Sequence, residues 1–236
     1  MLDEIPVIDM AAMAWLLAVW GSYSLVMDRL LSRRVGLNQY MKDVRKVWML
    51  RMLDRDQRIT DANLVGHVMQ SVSFFASATL LILVGLVGFL GAVDQAHGAL
   101  SALAFTVKTT KAMFELKVLV LIAIYIFAFL KFTWAIRQFN YSCAVIGAAP
   151  PPPIAPAERD VVASHIAELL SLAVSSFNGG LRAYYFSLAV LTWFVQPWLF
   201  IAVTAWMFLV LLRRQLLSRT FRAIRGHHEA SSMTDV

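Results

Sequence analysis

The chain of 236 residues holds a single cysteine, Cys143, which excludes any disulfide within it. Its five histidines are scattered without the spacing of a metal site, so zinc and redox chemistry have no starting point. Charge is scarce too, at 15% Asp, Glu, Lys and Arg against about a quarter in soluble domains. The patterns GxGxxG, GxSxG and HExxH are missing, and so is a P-loop. These absences point away from an enzyme; the sequence assigns no catalytic residue, no metal and no cofactor.

Apolar residues fill the gap, with 59% in the AVILMFWYC set and a mean hydropathy of +0.66. A soluble core cannot hide that excess, so an integral membrane protein is expected. Lipid offers no hydrogen-bond partner to a free backbone, and helices follow. The net charge of +6 arises from basic residues flanking the apolar stretches, where they set topology and meet anionic headgroups. No nucleic-acid motif accompanies it, and nucleic acid is not an expected partner.

Four stretches reach the roughly 18 residues needed to cross a bilayer, at about 10–27, 72–93, 114–139 and 184–212. The expected architecture is an all-α bundle of about four transmembrane helices with interfacial amphipathic helices, forming one domain over 1–236. Around the spans lie a basic cytoplasmic loop at 28–62, a Pro-rich linker at 148–157, an amphipathic helix at 158–178 and a basic tail at 213–236. Asp3, Glu4 and Asp9 precede the first span whereas Arg29, Arg33 and Arg34 follow it, which reads as a signal anchor with its N-terminus outside. Four crossings then leave the tail outside as well, despite Arg213, Arg214, Arg219, Arg222 and Arg225. A fifth inserted segment between Val161 and Gly180 would remove the conflict, but His165 and Glu168 oppose it. That stretch is therefore read as interfacial, with Asn178-Gly179-Gly180 as its C-terminal stop.

Within the first loop, Asn38 to about Leu53 alternates apolar residues with basic ones in the manner of a helix on an anionic membrane. Its headgroup candidates are Arg33, Arg34, Lys42, Arg45 and Lys46; simple topology-setting charge is the competing reading. The second span carries Gln70, Ser73 and Ser77 in a polar stripe, then Gly85, Gly88 and Gly91. Small and polar residues at helical spacing suit close helix packing, and a water-lined path is the alternative. Lys131 lies deep in the third span with Trp134 and Arg137 nearby, and either snorkels to the interface or takes a buried role. In the fourth span Pro197 removes a backbone donor, which predicts a kink near Gln196 and a freed carbonyl at Trp193.

The segments RDQRITDANLVGHVMQSVSFFASATLLIL, FKFTWAIRQFNYSCAVIGAAP and FNGGLRAYYFSLAVLTWF together resemble a family of multi-pass membrane proteins of bacteria and plants, domain of unknown function 599. The likeness runs from the first basic loop to the end of the fourth span. It implies about four transmembrane helices and supplies no activity. Its recurrent positions correspond to Arg55, Arg58, Asp61, Ser73, Phe74, Phe75, Lys131, Trp134, Arg137, Gln138, Asn140, Tyr141, Asn178, Arg182, Tyr184 and Tyr185.

From these features the expected protein is a homo-oligomer of the bacterial inner membrane, acting as a channel or transporter for ions or small solutes. The alternative is a structural or accessory subunit that organises lipids or a membrane protein partner. The first rests on Lys131 and the polar stripe; the second explains both as interface contacts.

Overall fold

Prolines and acidic first turns mark where the helices of the computed structural model begin; it describes residues 6–25, 37–101, 109–216, 219, 222–224 and 226. The elements are α1 (Val7–Leu25), α2 (Leu37–Leu53), α3 (Ile59–Leu90), α4 (Val93–Ser101), α5 (Lys111–Ala148), α6 (Pro156–Trp193) and α7 (Pro197–Leu216). Among the described residues there is no strand. Pro156 and Pro197 open their helices, where a missing N–H costs nothing. Asp61 and Glu158 sit in first turns, and Arg213 and Arg214 in the last turn of α7, each sign favoured there by the helix dipole. Thr110 caps α5 by accepting from Met113 N at 3.3 Å.

By length and composition, α3, α5, α6 and α7 can each cross a membrane. The chain is thus an all-α protein of multi-pass membrane type. Its apolar helices divide differently from the four expected spans. Asn178-Gly179-Gly180 does not end a helix, and α6 runs unbroken for 38 residues through it. Both glycines are buried. A glycine inside a helix costs only about 1 kcal/mol, less than unmade backbone hydrogen bonds in a water-poor setting. The separate amphipathic helix at 158–178 is therefore the first part of α6, and the span expected at 184–212 is two helices. The 72–93 span likewise starts earlier, at Ile59, and the 114–139 span extends from Lys111 to Ala148. Of the first span, residues 26 and 27 lie outside the described residues, and Val7–Tyr23 is a shorter apolar helix.

The chain divides into two compact units: Met1–Leu30, Ser77–Phe129 and Gly180–Leu212 in the first; Leu31–Ala76, Leu130–Gly179 and Arg213–Val236 in the second. In the first, rings carry the packing. Trp20 stacks on Phe186 at 5.1 Å and meets Phe127 edge-on at 5.5 Å, while Phe114 meets Phe194 at 5.1 Å. These contacts also fix direction. Asp9 near the start of α1 touches Trp193 at the end of α6, and Tyr23 near the end of α1 touches Phe208 of α7 and Arg182 of α6. Thus α1 and α7 run parallel, with α6 antiparallel to both. Lys117 beside Asp9 and Phe127 beside Trp20 orient α5 with α1. Thr79 beside Tyr184, with Leu90 packed against Val93 and Phe114, orients α3 with α6.

The second unit is a bundle of α2 with parts of α3, α5 and α6. Phe75, Phe132 and Phe177 form a triangle with centroids 5.7 to 5.8 Å apart. Met49, Met52 and Leu53 bury the end of α2 in this unit, while the rest of the helix is half-buried or exposed. Its carbonyl end is tied to α6 by Arg159, which donates to Leu50 O at 3.3 Å and Asp54 Oδ2 at 2.5 Å.

Candidate functional site

The break between α6 and α7 builds the most buried ionic centre of the first unit. Pro197 has no N–H to offer Trp193, so the chain closes a turn in which Val195 N and Gln196 N donate to Thr192 O, both at 3.1 Å. The helix does not merely kink; it ends, and α7 returns antiparallel. The freed Trp193 carbonyl accepts from Lys117 Nζ at 3.0 Å. Lys117 is 3% exposed and pairs with Asp9, 5% exposed, at 3.4 Å. Asp9 Oδ1 also accepts Trp193 Nε1 at 2.7 Å, and the ammonium lies 5.4 Å from the Trp193 ring centroid. A buried cation needs an anion and satisfied N–H groups to hold its charge. Here one tryptophan supplies a carbonyl, an indole donor and a π face around the pair.

Deeper in the same unit lies a run of hydroxyls. Thr79 and Tyr184 share a hydrogen bond of 2.8 Å, and Ser187 Oγ donates to Tyr125 Oη at 2.9 Å. Tyr125 and Tyr184 meet edge-on at 5.2 Å. Each hydroxyl finds its partner on another helix, the usual way polar groups are accommodated away from water.

The second unit has its own ionic centre. Asp61, fully buried, accepts from Trp48 Nε1 at 2.7 Å and Arg55 Nη1 at 2.6 Å, both on Oδ1, while Oδ2 is buried without a hydrogen-bond partner. Arg58 clamps the Pro-rich linker by donating to Ala149 O at 2.8 Å and Pro150 O at 2.5 Å. Beside this clamp is a cavity of about 420 Å³ lined by Asp56, Arg58, Cys143, Ile146 and Pro151 among others.

The residues singled out by sequence are dispersed. Gln70 and Ser77 are exposed and Ser73 half-buried along α3. Lys131 is half-buried; Trp134, Arg137 and Gln196 are exposed. Gly85 and Gly88 are exposed, with open space where a Cβ would stand, so among the described residues no other helix packs against them; a Cβ on Gly91 would meet only Gly88 O at 3.3 Å. Pro197 is buried at the start of α7. Of the headgroup candidates, Arg45 donates to Ser171 Oγ at 2.8 Å and Lys46 pairs with Asp160 at 2.9 Å, which turns both toward the protein. Burial lowers the Arg45 pKa from its ordinary value. Lys42 is exposed, and Arg33 and Arg34 lie outside the described residues. Lys111 bonds Asp94 at 2.5 Å, across to α4.

Lys117 and Asp9 are the residues that sequence reasoning passed over. Their signal was present: opposite charges near the starts of two apolar stretches, each expensive unless paired.

Residues 11–220 match the family model described as protein of unknown function, DUF599, and the chain belongs to that family. No curated protein matches it. No solved structure does so either.

Proposed function

We propose that the chain is a non-catalytic structural or accessory subunit of the bacterial inner membrane that self-associates or docks on a membrane protein partner. The observation that carries this reading is the Asp9–Lys117–Trp193 centre. Its two charges are used within the chain, bracing three helices, and are not presented to a solute. A buried pair of this kind supports a defined arrangement of helices more than it adds stability.

The orientation follows if the shorter apolar helix α1, which runs parallel to α5 and α7, crosses together with α3, α5, α6 and α7, five crossings in all. An odd number puts the acidic N-terminal end on one side of the membrane, with the basic first loop and basic tail together on the other. Positive-inside bias makes that second side cytoplasmic. The conflict raised by four spans disappears. At about 1.5 Å per residue a 38-residue helix measures about 57 Å, so α5 and α6 extend well past about 30 Å of hydrocarbon. Reporter tags at the two ends test the scheme: an N-terminal tag should be outside and a C-terminal tag inside.

A channel is the second reading, favoured by Gln70 and Ser77 being exposed on α3, where a symmetric oligomer can turn them to its axis. Purified protein in liposomes separates the two. A scaffold gives no ion flux above protein-free vesicles at any voltage or pH tested, together with a defined oligomer or a partner complex. Flux that falls in Ser77→Leu, with oligomer size unchanged, overturns the scaffold reading.

A further inference from the structure

The exposed side of α5 in the second unit carries Trp134, Arg137 and Tyr141, spaced three and four residues apart on one helical face. Trp134 is 48% and Tyr141 51% exposed. Arg137 is exposed and has no ion-pair or hydrogen-bond partner among the described residues. The row is held in place from within. Gln138, buried, has its amide oriented by its neighbours: the nitrogen donates to Leu172 O at 3.2 Å and Ser176 Oγ at 2.7 Å, and the oxygen accepts Trp134 Nε1 at 3.2 Å.

Its depth can be read along α5. No residue between Lys117 and Lys131 is charged, and Lys131, Arg137 and Gln138 follow within the next two turns, which marks the polar boundary of this helix. Aromatic rings flanking a free guanidinium at that depth have the chemistry of an interfacial belt around a phosphate-binding group.

We propose that Trp134, Arg137 and Tyr141 bind the headgroup of an anionic phospholipid, with the Arg137 guanidinium on the phosphate and the two rings at the level of the ester groups. The occupant is a lipid of the leaflet on the side of the basic tail. The charge balance favours it: the second unit has sixteen Lys and Arg against nine Asp and Glu. This inference rests on the bilayer placement proposed above.

The test uses the full chain reconstituted in vesicles of phosphatidylcholine and phosphatidylglycerol, re-extracted in mild detergent, with retained lipid measured by mass spectrometry. Wild type should retain phosphatidylglycerol above its share of the vesicle. Arg137→Gln should lower that enrichment about fivefold, as expected for one basic group near a charged surface. Arg137→Lys should keep most of it, and inorganic phosphate should not displace the lipid. Unchanged enrichment in Arg137→Gln overturns the site, as does a change of oligomer size with lipid retention untouched, which assigns the row to a protein contact. Alkaline extraction of membranes separates the two levels of failure: a chain that stays in the membrane without enriching lipid overturns only the site, whereas a chain released by alkali overturns the bilayer placement.

Discussion

The two units of this molecule are nearly equal in length and opposite in how they handle charge. The first has five Lys and Arg with six Asp and Glu, and buries one ion pair among rings. The second has sixteen and nine, and joins its helices through contacts nearer the surface, such as Lys46 with Asp160 and Arg159 with Asp54. In a water-poor interior an ion pair must be complete, because a lone charge has no solvent to fall back on. Near water each partner can be rehydrated, and a pair is worth little alone. One device organises the first unit; many weak ones share the work in the second.

That contrast breaks most sharply at Lys117. Lys117→Met strands the Asp9 carboxylate and should destabilise the protein by about 3–5 kcal/mol, read as a loss of thermal stability in detergent. Adding Asp9→Asn should recover part of the loss, since the double change removes both charges. A single variant as stable as wild type would end the claim that this pair organises the first unit.

Asp61 is the second unit's exception, a fully buried carboxylate with Trp48 and Arg55 as donors. Asp61→Ala should cost about 2–3 kcal/mol, between a buried network and a surface pair. The companion Trp48→Phe keeps the ring and should cost about 1 kcal/mol, detected as a lower midpoint in a denaturant titration. Equal effects of the two would place the weight on Trp48 packing.

Lys46→Ala should cost less than about 1 kcal/mol, and its difference from wild type should vanish in high salt. The smallest effect is expected at Gly88. A Cβ there meets nothing within 4 Å, so Gly88→Leu should leave the stability of an isolated chain within about 0.5 kcal/mol. Any larger loss that depends on protein concentration would place this face of α3 in a contact between copies.

Much of the helix content was legible because hydrophobicity is a property of segments, and α2 was found within two residues of its observed ends by its alternation of apolar and basic positions. The glycine pair was misread because a stop signal calibrated on solvent-exposed helix ends does not apply where Gly179 and Gly180 are buried. Gly85 and Gly88 mark a different limit: their spacing suits packing, but nothing in a sequence says whether the covering helix belongs to the same chain or to another copy, and among the described residues none lies against them.

Composition and segment length by themselves determined that this is a helical membrane-type chain, that Pro197 interrupts a helix, and that the Trp193 carbonyl is released, because each depends on local chemistry alone. Tertiary structure decided that the interruption is a reversal, that Lys117 donates to the freed carbonyl, and that Asp9, 108 residues away in sequence, completes the pair. A partner that distant is selected by the direction of packed helices, and direction is fixed only when side chains on several of them meet.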